Sequence, residues 1–285
     1  MSLTIILKAI ELGLIFSILS LGVYISFRVL NVPDLTVDGS FATGCAVCAV
    51  MTIAGHPYLG LLLAFVAGGL CGMVTAFLQT KMHMQPLLAG ILTMVALYSI
   101  NLRIMNGAPN ISLFSTNTLF TLIDSELLIL LIFSLVIGFI LFGFFKTNLG
   151  LMLRATGDNE VMVRSSSINV DRMKFIGMAL SNGIVALSGA LLAQYQNFAD
   201  ITSGTGMMVL GLAGIIIGEA ILRKRTIGFG IASAIIGACI YRLLYQFALQ
   251  FGIPATDMNL MSAILVAITI SLPYLKRKGV KHVRA

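Results

Sequence analysis

Apolar residues come in long, nearly uninterrupted runs, parted by short polar intervals. Nine such runs are readable, near 4–27, 38–55, 57–80, 86–104, 127–145, 173–196, 206–222, 227–251 and 256–275. Each approaches the roughly 20 residues that a helix needs to cross a bilayer. Helix is the expected form because backbone groups in lipid must be bonded within the segment. The two longest polar intervals are 101–126 and 149–174. The second reads LGLMLRATGDNEVMVRSSSINVDRMK. It predicts a short helix along the membrane surface over 159–166, with Asp158 as N-cap and Glu160 in its first turn. Asn169 or Asp171 is expected to cap the start of the sixth span.

The chain also repeats itself. Shifted by 166 residues, PDLTVDGSFATG from Pro33 lies over ADITSGTGMMVLG from Ala199, and Lys8, Asn31, Asp34 and Thr36 meet Lys174, Asn197, Asp200 and Thr202. At a shift of 168, Gly60 meets Gly228 and Pro86 meets Pro254. With five spans before the central loop, spans 1–4 and 6–9 run in opposite directions, an inverted repeat of the kind that places a solute route between two halves. The expected organisation is one all-α polytopic membrane domain over 1–285. Its first half covers about 4–104, a linking span 127–145, the loop 146–174, and the second half about 173–275. The matched polar, Gly-containing breaks 33–40 and 199–206 point to that route. Asp38, Ser40, Ser203 and Thr205 are expected as N-caps there.

Composition agrees. Of 285 residues, 58% are hydrophobic and only 10% charged, whereas soluble domains carry roughly 25% charged residues. The net charge of +7 does not imply nucleic acid, because the basic residues sit in short loops between spans. With the central loop inside the cell, 15 of the 18 Lys and Arg are cytoplasmic, Lys8, Arg103 and Arg242 being the exceptions. This follows the positive-inside rule and puts the N-terminus outside and the C-terminus in the cytoplasm. The first run lacks the basic n-region and small-residue cleavage site of a signal peptide, so it reads as a span.

Few polar residues fall inside spans, and such groups are functional candidates. Asp38, Ser40, Asn182, Gln194, Thr205 and Arg242 are the candidate pathway residues. Glu219 has Arg223 four positions on, which predicts a local ion pair. Arg242 has no such neighbour and is expected to pair with Glu11, line the pathway or snorkel. Gly68/Gly72 and Gly214/Gly218 form GxxxG pairs, read as close packing within one subunit. Cys45 and Cys48 form a CxxC, read as packing rather than redox or zinc chemistry. His56, His83 and His282 have no ligand spacing, so neither a metal nor a cofactor is expected.

RATGDNEVMVRSSSINVDRMKFIGMALSNGIVALSGALLAQYQ resembles the coupling-loop region of ABC-importer permeases of the branched-chain amino acid and ribose type. NVPDLTVDGSFATG and GLAGIIIGEAIL resemble other segments of one branch, grouped with tryptophan- and tyrosine-type systems. The resemblance covers nearly the whole chain, which lacks the extra first span of many sugar-type members. It implies a bacterial plasma-membrane permease working as two copies. It further implies a cytoplasmic ATP-binding subunit and an extracytoplasmic solute-binding protein, moving a small solute, an amino acid by branch. The ATPase-facing positions it implies are Arg154, Gly157, Asp158, Asn159, Glu160, Val161, Met162, Arg164 and Ile168. Val161, Met162 and Ile168 would enter the ATPase cleft, with Arg154, Glu160 and Arg164 as a charged rim.

Two independent observations fit that resemblance. The chain has no phosphate-cradling G-x-x-x-x-G-K-[ST], so ATP would be handled by another chain. It has no recognisable hydrolytic set either, which argues against an intramembrane enzyme. The rival reading is a secondary transporter with inverted repeats. Such proteins commonly carry acidic or histidine relays, and the spans offer only Glu11 and Glu219.

Overall fold

The computed structural model describes residues 3–114, 116–121, 125–222 and 226–250, together with Leu260, Ala263, Ile264 and Ala267. Among these, eight helical segments are long and apolar enough to cross a membrane. They match the first eight expected runs. The ninth, 256–275, lies outside the described residues apart from those four.

Helix α1 (Leu3–Val23) continues through a π-helical turn, Tyr24–Val29. Helices α2 (Thr36–Ile53), α3 (Pro57–Thr80) and α4 (Pro86–Ile104) follow. Pro57 and Pro86 open α3 and α4 at positions whose N–H has no intrahelical partner. After strand β1 (Asn110–Ser112), α5 (Glu126–Lys146) leads into α6 (Asn148–Asp158) and α7 (Glu160–Ser165). Then come α8 (Val170–Gln196), β2 (Phe198–Asp200), a 3-10 turn Ile201–Gly204, α9 (Met207–Leu222) and α10 (Ile227–Gln250).

The core is built on α1 and α8, which lie antiparallel. Ser181 donates to the Gly22 carbonyl and Ser188 to the Ile15 carbonyl, each at 2.7 Å. Helices α2 and α3 pack on α8, while α9 and α10 pack on α1. Glycines set these seams. A Cβ at Gly68 or Gly72 would run into the Asn182 and Met178 carbonyls of α8, and one at Gly218 into the Ser233 carbonyl of α10. Both GxxxG pairs therefore pack within the subunit.

Helices α2 and α9 both begin part-way along the bundle. Asn182 lies about 18 Å along α8, near its middle, at 1.5 Å per residue. Its amide donates to Asp34 at 2.7 Å, so the break before α2 sits at that depth. The break before α9 reaches a similar level, because Asp38 in the first turn of α2 accepts from the Gly206 and Met208 N–H groups at 2.9 and 2.8 Å. From there the two helices run in opposite directions. Cys48 of α2 meets Gln194 near the end of α8, and Glu219 of α9 meets Arg28 at the other end of the bundle.

The breaks share their local conformation. Asn31 and Asn197 are both left-handed, with φ of 56° and 58°. Asp34 and Asp200 each accept from the N–H two residues on, at Thr36 (2.9 Å) and Thr202 (2.6 Å). Asn tolerates positive φ, and Asx turns let the chain reverse with its backbone groups satisfied.

Two local expectations need correction, and a third falls partly outside the described residues. The polar interval forms two helices. Gly150, Leu153 and Thr156 recur every third residue and bury one face of α6, capped by Thr147, so Asp158 ends that helix. Asn159 takes the extended conformation and caps α7 by accepting from the Met162 N–H at 3.1 Å. At the first break, α2 begins before Asp38 and Ser40, which therefore do not cap it. Glu219 pairs with Arg28, brought alongside by α1, while Arg223 lies outside the described residues. As expected, Asn169 caps α8. An unforeseen antiparallel ribbon pairs Asn110 with Asp200 and Ser112 with Phe198, tying the α4–α5 connection to the second break.

Candidate functional site

The polar candidates separate into three places. The first is the seam of α8 with α2 and α3, which runs from the first break to the far end of α8. Ser40 donates to Asn182 Oδ1 at 2.7 Å, and Thr36, Thr75 and Thr93 form a hydroxyl chain linking α2, α3 and α4. Gln194 accepts from the Leu119 N–H and donates to the Pro57 carbonyl, both at 3.0 Å. Ser40, Asn182 and Gln194 are wholly buried. Their polar atoms are used between helices, which is what unfavourable burial demands. Cys45 and Cys48 belong to the same seam: Cys45 donates to the Gly189 carbonyl and Cys48 contacts Gln194.

The second place is a pair of clefts flanking the second break. One, of about 390 Å³, lies between the start of α2, α4 and the Ile201–Thr205 segment, with Asp38 and Thr205 in its lining. Asn101 joins them. It is 1% exposed, and both its amide atoms lack a hydrogen-bond partner among the described residues. Sequence reading missed Asn101, although a lone amide near the end of an apolar run was visible. The other cleft, of about 580 Å³, lies between α1, α8, the start of α9 and α10, and is lined by Thr205, Arg242 and aromatic residues. Arg242 does not pair with Glu11, whose carboxylate is taken by Lys8 at 3.1 Å and the Tyr195 hydroxyl at 2.7 Å.

The third is α6–α7. Val161 and Met162 are 79% and 67% exposed, a pair of apolar side chains projecting from a polar surface. Arg154, Asp158, Asn159 and Arg164 are also exposed, whereas Ile168 is half-buried and Val163 buried. Glu160 pairs with Lys174 of α8 at 2.5 Å. Gly157 does not adopt positive φ; it is needed because a Cβ there would strike the Val29 carbonyl. Helix α6 is thus seated on the end of α1, and α7 is presented from a rigid mount.

The profile of the family described as "Branched-chain amino acid transport system / permease component" matches residues 5–269. The chain belongs to this family. A tyrosine transport system permease protein of Clostridioides difficile is 40% identical, over 92% of this chain and 88% of that one. A protein of Rickettsia prowazekii without an assigned role is 37% identical over 94% and 97%. A ribose import permease protein of Escherichia coli is 25% identical over 83% and 75%. Among solved structures, that of PsaBC from Streptococcus pneumoniae in complex with Fab matches with a TM-score of 0.58 at 15% identity, covering 96% of this chain and 94% of that one. At that identity the likeness concerns the fold alone. The permease is thus a multi-pass membrane protein of a transport system.

Proposed function

We propose that this permease is the membrane subunit of a bacterial ATP-driven importer. Two copies enclose the pathway, a cytoplasmic ATP-binding subunit docks on α6–α7 of each, and an extracytoplasmic binding protein delivers a small solute. The solute class is an amino acid, a reading supported by the tyrosine-permease relative. The chain lies in the plasma membrane with its N-terminus outside and C-terminus in the cytoplasm. In this orientation Arg28, Lys81, Lys146 and the α6–α8 basic residues face inward, while the exceptional Lys8 is neutralised outside by Glu11 and Glu126. The two halves form an inverted repeat, supported by the opposed α2 and α9 and by their matched breaks.

The observation that carries this reading is the exposed Val161–Met162 pair on its rigid mount. ATP hydrolysis on another chain must reach the spans through an interface, and docking energy concentrates in a few desolvated side chains. Arg154 and Arg164 form the charged rim, where exposed pairs contribute about 0–1 kcal/mol each. Val161→Asp with Met162→Asp is expected to abolish co-purification of the ATP-binding subunit while the permease still folds, and Arg164→Ala to weaken it slightly. Undiminished assembly of the double-aspartate variant would remove the reading's main physical support.

A further inference from the structure

The larger cleft contains a cation that makes no ion pair among the described residues. Arg242 lies on α10 with its guanidinium 5.1 Å from the Phe16 ring centroid and 4.6 Å from that of Tyr245. Its Nε is buried without a hydrogen-bond partner, and no carboxylate lies within ion-pair distance of it among the described residues. Of the two nearby acids, Glu11 is engaged elsewhere, and Asp200 lines the same cleft without an ion pair to Arg242. Glu11 serves Lys8 and Tyr195, and Asp200 accepts from the N–H and hydroxyl of Thr202, each at 2.6 Å. The α9 N-terminus cannot balance a cation, and its N–H groups are already bonded to Asp38 from the other side.

A cation inside a span is costly, and ring faces offset this only in part. The guanidinium carries a planar fork of N–H donors, the geometry that grips a carboxylate bidentately. At about 580 Å³ the cleft is in the range of small-molecule sites. Its walls pair this cation with Phe16, Leu192, Leu210 and Tyr245.

We propose that Arg242 is a specificity-determining residue that binds the carboxylate of the translocated solute, the aromatic and apolar walls taking an apolar or aromatic body. This rests on the reading of the chain as a solute permease, and adds that the route passes the α9–α10 cleft and selects for an anionic head.

The assembled permease–ATPase complex in nanodiscs provides the test, with benzoate and benzamide as probes of equal shape and different charge. Benzoate is expected to raise the melting temperature of the wild-type complex and benzamide to leave it unchanged, with the benzoate shift lost in Arg242→Gln and partly kept in Arg242→Lys. In proteoliposomes supplied with binding protein, Arg242→Gln is expected to lower tyrosine uptake about 30-fold or more, the effect of removing one partner of a buried charge pair, with ATPase assembly intact. Equal shifts with both probes, no benzoate shift in the wild type, or wild-type uptake by Arg242→Gln would overturn the inference. Those results leave the importer reading standing, since that is tested separately, by ATP-dependent uptake in the wild-type complex and by the assembly of the α7 variants.

Discussion

The two breaks, 30–35 and 197–206, share a left-handed Asn and an Asx turn, yet they are put to different use. The first is sealed. Asp34 is wholly buried, bonded to Thr36 and Asn182, and surrounded by α2, α3, α4 and α8. The second is open. Asp200, Thr202 and Ser203 line one cleft, Ile201 and Gly204 line the other, and Thr205 lines both. One motif therefore serves as a lock where neighbouring helices satisfy it and as a cleft wall where they leave space. Local conformation follows from the residues; role follows from what packs around them.

Substitutions that separate lock from wall test this contrast. The largest effect is expected for Asp34→Ala. It strips partners from the Thr36 N–H and the Asn182 amide, each unsatisfied group costing about 1–3 kcal/mol, so detergent-solubilised protein should melt earlier and expression should fall. A stable, active Asp34→Ala variant would break the comparison. Gly157→Val comes next, because its side chain meets the Val29 carbonyl; overpacking of this kind costs about 1–3 kcal/mol. The expected readout is reduced ATPase co-purification, with α6 displaced from its seat. Asp200→Ala removes only an exposed Asx turn, and a stability loss of about 0.5–1.5 kcal/mol is expected from its hydrogen bonds, with uptake reduced more than stability. The smallest stability effect is expected for Asn101→Leu. Its amide satisfies nothing within the described residues, so melting should stay constant or rise while uptake changes. Strong destabilisation would show instead that Asn101 holds the fold together.

Much of this was legible beforehand. Run length gave eight described spans, and the 166-residue shift located two breaks whose left-handed Asn residues agree in φ within a few degrees. The candidate residues were less legible. Hydropathy marks Ser40, Asn182 and Gln194 as polar within apolar runs, as it does Thr205 and Arg242. It does not say that the first three are consumed by partners more than 130 positions away, at Asp34, Cys48 and Pro57. Arg28 likewise reaches Glu219 across 191 positions, while the local rule favoured Arg223. The α7 cap was misplaced by one residue because two good caps, Asp158 and Asn159, are adjacent, and the burial of Leu153 and Thr156 extended the preceding helix.

The central claim is that the moving solute meets the second break while the first stays sealed. Single cysteines at Ser40→Cys and Thr205→Cys, in a background with the native cysteines replaced by serine, address it directly. Their reaction with a membrane-impermeant thiol reagent would be followed in the reconstituted complex with and without ATP. The account predicts that Thr205→Cys reacts, at a rate that changes with ATP, while Ser40→Cys stays inert in both states. Reaction at Ser40→Cys as fast as at Thr205→Cys, or no reaction at Thr205→Cys in either state, would contradict it.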